Sequence, residues 1–100
     1  MKRKLLEKDI EKYLVEQVEA AGGMAEKFTS PNRRSVPDRL CLFPGGGVFF
    51  VECKAPGKKP TSAQLRDHKR RRELGFTVSV VDSKDGVDLF IENCEDERIQ

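Results

Sequence analysis

The stretch from Leu40 to Lys54, with the sequence LCLFPGGGVFFVECK, determines the centre of the fold. The apolar run Leu40–Phe43 predicts a short strand. The run Val48–Lys54 predicts the strongest strand of the chain, because β-branched and aromatic residues dominate it. Between them, the segment Pro44–Gly47 can only form a turn. The three segments together predict a β-hairpin.

Further elements are predicted on the N-terminal side of the hairpin. Apolar residues recur at every fourth position from Leu6 to Val18, and this spacing predicts an amphipathic helix over residues 3–21. Residues 24–28 predict a short strand. Residues 29–36 contain proline, serine, asparagine and two arginines, and they predict a polar loop that leads into the hairpin.

The C-terminal side predicts a helix and a strand, followed by a less certain element. Residues 61–64 have the sequence TSAQ, which matches a capping box and begins a helix that runs to Leu74. Residues 76–81 predict a β-branched strand, and residues 85–94 predict a last short helix or strand. The order α-β-β-β-α-β predicts an α/β fold with a mixed central sheet flanked by helices.

Length and composition indicate one domain over residues 1–100. Apolar residues make up 37% of the chain and charged residues 36%, and no apolar run approaches the roughly 18–20 residues of a membrane span. The basic N-terminus lacks the apolar segment of a signal peptide, so we expect a cytoplasmic protein. Cys41, Cys53 and Cys94 lack CxxC spacing, and we interpret them as small apolar residues rather than disulfide or zinc ligands.

Charge is distributed unevenly along the chain. The net charge is only +2, but residues 1–81 carry 17 Lys and Arg against 10 Asp and Glu. Residues 82–100 carry 7 acidic residues against Lys84 and Arg98. A basic body with an acidic tail is typical of proteins that bind nucleic acid, although basic surfaces also serve solubility alone.

Two carboxylates and an ammonium group converge at one end of the predicted hairpin. Asp38 begins the first strand and Glu52 lies near the end of the second, so antiparallel pairing places these positions beside each other. Lys54 follows Glu52 by two residues and therefore lies on the same face. Asp38 alone could cap a turn, and Glu52 with Lys54 alone could form an ion pair. Neither reading explains why all three converge.

Such a group suits a hard divalent cation. Two carboxylates a few ångströms apart repel each other unless a cation lies between them, and ligation by oxygen alone favours Mg²⁺ or Mn²⁺. The cation would bind a phosphate oxygen and acidify a water molecule. Lys54 would orient that water or stabilise the charge that develops on the phosphate. The three residues therefore indicate phosphodiester hydrolysis.

The same residues resemble the PD-(D/E)xK nuclease superfamily and, more closely, its VRR-Nuc family. PD alone or ExK alone has little specificity, but their order, hairpin spacing and flanking residues are specific together. The resemblance covers nearly the whole chain and is carried by Glu7 and Ile10, residues 35–39 (SVPDR), 44–46 (PGG), 51–58 (VECKAPGK), Gln64 and residues 74–75 (LG). It implies a restriction-endonuclease-like architecture.

The resemblance also implies the metal ligands. Asp38 and Glu52 would hold the metal together with the backbone carbonyl of Cys53, and a glutamate of the first helix would complete the site. Glu7 matches that glutamate best, although Glu11 lies one turn further along the same side of the helix.

The helix after the hairpin carries Gln64 and many basic residues. The resemblance places Gln64 beside the active site, while its capping box gives it a structural role, and both roles stay open. We interpret His68 as a surface contact to DNA, because a metal-activated water needs no histidine base. Contacts to the DNA backbone are predicted for Arg33, Arg34, Arg39, Lys58, Lys59, Arg66, His68, Lys69, Arg70, Arg71 and Arg72.

These observations predict a deoxyribonuclease that depends on Mg²⁺ or Mn²⁺. The resemblance to stand-alone VRR-Nuc enzymes implies a homodimer that prefers branched DNA such as four-way Holliday junctions. One alternative is a catalytically silent DNA-binding module of the same fold, although such a module has no use for a metal site. Another is a protein-interaction domain, which predicts neither metal binding nor salt-dependent DNA affinity.

Overall fold

The computed structural model describes residues 3–99, with side chains described as far as residue 95. The described residues form three helices and four strands: α1 (Glu7–Ala20), β1 (Met24–Lys27), β2 (Arg39–Phe43), β3 (Gly47–Cys53), α2 (Ser62–Glu73), β4 (Thr77–Val81) and α3 (Lys84–Ile99). Among them, no helix combines the length and the apolar character that crossing a membrane requires.

The four strands form one mixed sheet in the order β1-β2-β3-β4. The first three pair antiparallel, and the hairpin register places Arg39 opposite Val51. Gly45 and Gly46 close the hairpin with φ of +90° and +92°, a region that favours glycine. β4 pairs parallel to β3, because α2 carries the chain back along the sheet as a crossover. The predicted hairpin and mixed α/β sheet are therefore confirmed.

Helix α1 begins at Glu7, four residues later than predicted. The Asp9 carboxylate accepts a hydrogen bond of 2.7 Å from the backbone N–H of Leu6, and this contact fixes Leu6 as the extended residue before the helix. An acidic residue in the first turn also interacts favourably with the positive end of the helix dipole. Ile10, Leu14 and Val18 of α1 are completely buried, as the four-residue spacing predicts, whereas Leu6 lies before the helix and is exposed.

The last predicted element, for which the sequence allowed either a helix or a strand, is helix α3. The Ser83 hydroxyl accepts a hydrogen bond of 2.9 Å from the backbone N–H of Gly86, and the Ser83 carbonyl accepts one from Val87. A serine in this position caps a helix N-terminus. The helix continues beyond the predicted residue 94 to Ile99.

One face of the sheet packs against α1 and α3 and forms the core; we call it the apolar face. Its side chains interlock with three fully buried residues of α1 and with the buried stripe of α3. The three cysteines lie buried in this core, as the sequence predicts for small apolar residues. The buried core cluster consists of Ile10, Leu14, Val18, Cys41, Phe43, Phe49, Val51, Cys53, Val81, Val87, Phe90 and Cys94.

The opposite face is covered only in part, by α2, and we call it the α2 face. Strand residues alternate between the two faces, so Leu40, Phe50 and Val78 point towards α2 together with Glu52. The buried charged or polar side chains among the described residues are Glu52, Asp67 and His68. Each of them lies on this face or on α2 itself.

Candidate active site

The β2–β3 register brings Asp38 and Glu52 together at one end of the sheet. Because Arg39 pairs with Val51, the preceding Asp38 lies across from Glu52. The Asp38 carboxylate accepts a hydrogen bond of 2.7 Å from the backbone N–H of Cys53 through Oδ2. This contact fixes the Asp38 side chain at the end of β3 and directs it towards its partner carboxyl.

Glu52 is a buried carboxyl that faces a second carboxylate. Its side chain is 2% exposed, and burial together with the negative charge of Asp38 raises the pKa of Glu52 to about 8. A hydrogen bond between the two carboxyl groups favours the protonated form further, while the positive charge of Lys54 acts in the opposite direction. The raised pKa favours the protonated form of Glu52, and a cation between the two carboxyl groups would relieve the same repulsion.

Lys54 and Cys53 complete the end of β3. The Lys54 ammonium lies 3.8 Å from Glu52 Oε2, on the face that the two-residue spacing predicts. Burial raises the pKa of the Cys53 thiol, which lies in the core and offers no ligand. The backbone N–H and the backbone carbonyl of one strand residue point towards the same neighbouring strand. The Cys53 carbonyl is therefore directed to the side on which its N–H contacts Asp38.

The two candidate glutamates of α1 have different surroundings. Glu11 Oε2 lies 2.7 Å from Arg39 Nη2 and 3.5 Å from Lys27 Nζ, so its carboxylate is already neutralised. Glu7 lies in the first turn of α1, is exposed, and contributes to the raised pKa of Glu52 through its charge. These surroundings favour Glu7 over Glu11 as the further acidic group.

The chemistry of the donor set fits a divalent cation. Within the part of the chain that the structure describes, no three His, Cys, Asp or Glu side chains are grouped so as to hold a metal ion. Glu7 therefore does not join Asp38 and Glu52 in such a group, and the oxygen donors at the site are the carboxylates of Asp38 and Glu52 and the carbonyl of Cys53. Mg²⁺ is commonly held by one or two carboxylates together with water and substrate phosphate, and the present residues satisfy that requirement.

Comparison with known proteins identifies the family. No family profile matches the sequence. The chain is 57% identical over 83 residues to a protein of Acyrthosiphon pisum secondary endosymbiont phage 1 named "Putative nuclease p44", a match that covers 83% of this chain and 89% of the relative. A solved structure described as a VRR_NUC domain is similar with a TM-score of 0.81 and 41% identity, over 86% of this chain and 94% of that one. This chain belongs to the VRR-Nuc family.

Membership of the VRR-Nuc family confirms the resemblance that the motifs indicate, and it confirms the fold class. The element order α-β-β-β-α-β-α is compatible with the VRR-Nuc fold. The chain is therefore a nuclease-family domain, and its paired carboxyl groups lie at one end of the central hairpin.

Gln64 makes the capping-box contacts that its sequence predicts and also contacts the buried Glu52 carboxyl. Its side-chain carbonyl accepts a hydrogen bond of 2.8 Å from the backbone N–H of Thr61, and its own backbone N–H donates to Thr61 Oγ1. Its side-chain amide also donates to Glu52 Oε2 at 3.2 Å. Gln64, the third residue of α2 in this VRR-Nuc protein, therefore links the start of the helix to the buried carboxyl.

The prediction that His68 contacts DNA from the surface is wrong. Its side chain is 0% exposed, and its Nε2 lies 3.4 Å from Glu52 Oε1. Burial and the neighbouring charge of Arg72 lower the pKa of the imidazole, which favours its neutral form. The four-residue spacing from Gln64 was the signal for this placement, because it puts both side chains on the same side of α2.

Four of the predicted DNA-binding arginines line one groove. Arg33 and Arg34 belong to the loop between β1 and β2, and Arg66 and Arg70 face them from α2. A neighbouring depression is lined by Asp38 together with the same two loop arginines. The arginines thus connect the carboxyl pair to the outer side of α2. Lys58, Lys59 and Lys69 are exposed but do not line this groove.

Three other predicted DNA-binding arginines are engaged within the protein. Arg39 binds Glu11 and the backbone carbonyl of Ala25. The guanidinium of Arg71 binds Asp67 at 2.8 Å and lies 5.1 Å and 4.9 Å from the ring centres of Phe28 and Phe50. Arg72 donates to the backbone carbonyl of Val78. These three guanidinium groups hold the fold together, whereas the sequence assigned them to DNA.

Proposed function

We propose that this VRR-Nuc protein is a deoxyribonuclease that hydrolyses phosphodiester bonds with Mg²⁺ or Mn²⁺ at Asp38, Glu52 and Lys54. The observation that carries the proposal is the pair of facing carboxyl groups, one of which is buried with a pKa of about 8. An unneutralised pair of this kind costs stability in a fold with no cation to separate the charges. Such a cost is typical of a functional site.

Each residue of the site has a distinct part in the proposed reaction. Asp38, Glu52 and the Cys53 carbonyl would hold the cation. When bound, the cation stabilises charge on the phosphate and lowers the pKa of a water molecule. Lys54 lies beside Glu52 and would donate to that water or to a phosphate oxygen as negative charge develops. Gln64 keeps the Glu52 carboxyl in place through its 3.2 Å hydrogen bond.

The arginine groove supports DNA as the substrate. No side-chain ion pair or hydrogen bond within the described residues occupies Arg33, Arg34, Arg66 or Arg70, so their charges are available to phosphate groups. The groove begins beside Asp38, and a DNA strand bound along it would present its backbone to the carboxyl pair. Contacts of this kind do not read sequence. We therefore propose cleavage that is selective for structure, and a cytoplasmic site of action where the DNA is present.

An apolar row at the other end of the sheet supports a homodimer. Met24 pairs with Leu42, and Leu42 pairs with Val48, so these residues form a row on the α2 face at the hairpin turn. Met24, Val48 and the nearby Phe76 are 56%, 40% and 46% exposed. Exposed apolar side chains that cluster in this way are typical of interaction sites.

A two-fold interface on this row would leave both carboxyl pairs open. It would present two equivalent sites to the matching strands of a branched DNA such as a four-way junction.

The proposal is tested by incubating the protein with a four-way junction, a flap, a nicked duplex and a linear duplex in Mn²⁺ or Mg²⁺. We expect cleavage of the junction before the linear duplex, no cleavage in EDTA, and none by the Asp38→Asn/Glu52→Gln double variant. Binding of DNA without cleavage of any substrate would instead identify a silent DNA-binding module. A monomer in light scattering, with equal cleavage of junction and linear duplex, would contradict the dimer and the junction selectivity.

A further inference from the structure

His68 is a completely buried polar side chain with one contact to the site and one nitrogen without a partner. Its Nε2 lies 3.4 Å from Glu52 Oε1. Its Nδ1 is buried and has no hydrogen-bond partner among the residues that the structure describes. A buried histidine that serves only packing is more costly than an apolar residue of the same size. The contact with Glu52 is the interaction that can offset this cost of burying the imidazole.

The orphaned Nδ1 favours one assignment of the protons. If Nδ1 carried a hydrogen, a donor would be buried without an acceptor, and such unpaired N–H groups are rare in folded proteins. A bare lone pair is tolerated somewhat more readily. The neutral imidazole with its hydrogen on Nε2 is the form that avoids an orphaned donor, and in this form Nε2 donates to Glu52 Oε1.

Helix α2 thus offers one neutral donor to each oxygen of the Glu52 carboxyl. Gln64 donates to Oε2 and His68 donates to Oε1, one helical turn apart. The two contacts fix the position and the plane of the carboxyl from one rigid element. Because both donors are uncharged, they orient Glu52 without cancelling the negative charge that a cation requires. A second charged donor beside Lys54 would weaken that charge.

We propose that His68 is a positioning residue for the metal site, a neutral Nε2–H donor that holds Glu52 ready to bind a divalent cation. The inference rests on the proposed function, since it requires that Glu52 is a metal ligand. Partners of this kind, which contact a ligand rather than the metal, typically change metal affinity about 10–100-fold when they are removed.

Calorimetric titration of Mn²⁺ into the metal-free protein tests the proposal without depending on catalysis. His68→Leu keeps a similar volume but removes the donor, and we expect Mn²⁺ affinity to fall about 10–100-fold. His68→Gln returns an N–H at a similar reach and is expected to restore most of that loss. Leu65→Ala, an exposed position on the same helix, is the matched control and should bind Mn²⁺ as the wild type does.

The outcomes separate this inference from the proposed function. A wild-type protein that binds no Mn²⁺ would overturn both. Wild-type binding together with unchanged affinity in His68→Leu would overturn the role of His68 alone, and so would a failure of His68→Gln to restore affinity.

A measurement on the unaltered protein remains decisive if His68→Leu does not fold. Nitrogen NMR of the His68 imidazole in the metal-free wild type should show the hydrogen on Nε2 and a bare Nδ1. A hydrogen on Nδ1 would contradict the proposal, because Nε2 could then only accept.

Discussion

The two faces of the sheet are built from the same strands, but one forms the apolar core and the other buries polar side chains. The apolar face packs against α1 and α3, and its buried cluster consists of apolar side chains and buried cysteines. The α2 face buries Glu52 and His68 beside Phe50 and Val78. The alternation of side chains along β3 separates the two, since Val51 and Cys53 enter the core while Glu52 between them enters the site.

This difference separates stability from chemistry within one strand. Burial of an aliphatic side chain on the apolar face contributes about 1.5–3 kcal/mol without any directional contact. On the α2 face, each buried polar atom needs a specific partner, and a missing partner costs free energy. Substitutions on the apolar face should therefore lower stability, whereas substitutions at the carboxyl pair should lower activity and leave the fold intact.

The largest expected effect is on cleavage by variants of the carboxyl pair and its lysine. Asp38→Asn keeps the shape and the hydrogen bond from Cys53 but removes the charge. We expect a loss of roughly a thousandfold in cleavage, the upper end for one preorganised electrostatic group. The variant should also lose Mn²⁺ affinity, without any loss of thermal stability in EDTA.

Lys54→Met is the matched comparison, since the lysine is not a metal ligand in the proposed site. Its cleavage should fall by a similar factor, while Mn²⁺ binding should remain saturable in calorimetry and change far less than in Asp38→Asn. Wild-type cleavage by Asp38→Asn, or loss of Mn²⁺ binding in Lys54→Met alone, would show that the roles are assigned incorrectly.

The next effect is on the stability of the apolar face. Ile10→Ala removes a fully buried side chain of α1, and we expect the free energy of unfolding to fall by about 2–5 kcal/mol. Urea unfolding measures this loss. The specific activity of the fraction that stays folded should be unchanged. A large loss of specific activity in fully folded Ile10→Ala would mean that the two faces do not act separately.

A smaller effect is expected in the pH dependence of stability. The pKa of Glu52 is about 8 in the folded protein against an ordinary value of 4.5, so the folded state holds a proton that the unfolded state releases. The stability contributed by this proton is complete below about pH 4.5 and is lost as the pH rises towards 8. In EDTA, the wild type should therefore lose more unfolding free energy between pH 5 and pH 8 than Glu52→Gln does. Parallel losses would contradict the raised pKa.

The smallest effect separates two neighbouring arginines of α2. Arg71 binds the buried Asp67 and lies against the rings of Phe28 and Phe50, so Arg71→Gln should cost about 1–2 kcal/mol of stability. Arg70 lines the groove, and Arg70→Gln should change stability by less than about 0.5 kcal/mol.

DNA affinity should show the reverse pattern for this pair. In a variant that does not cleave DNA, adding Arg70→Gln should weaken DNA binding and reduce the salt dependence of the DNA affinity. Equal DNA affinity in Arg70→Gln and the wild type would exclude the groove from the binding surface.

The sequence predicted the hairpin and the convergence at its end because both follow from local patterns. An apolar strand, a glycine turn and a second strand determine which residues lie opposite each other. The positions of Asp38, Glu52 and Lys54 follow from that register without any knowledge of the rest of the fold. The capping box of Gln64 was predictable for the same reason.

What the sequence did not predict depends on how α2 docks onto the sheet. A helix with many charged residues resembles a solvated one, and the apolar side chains do not mark which side is buried. His68 and Asp67 are buried because α2 covers Glu52 and Phe50, a contact between residues far apart in sequence. The same docking places Arg71 against two phenylalanine rings and binds its guanidinium to Asp67, whereas the sequence assigned this arginine to DNA.

The most direct test of the carboxyl pair as a metal-dependent nuclease site is the rate of DNA cleavage as Mn²⁺ is added to the metal-free protein. For the wild type, the rate should rise from zero, saturate, and return to zero when EDTA is added. The Asp38→Asn/Glu52→Gln double variant should stay at zero throughout. Cleavage in EDTA, or wild-type rates in the double variant, would contradict the assignment of the site.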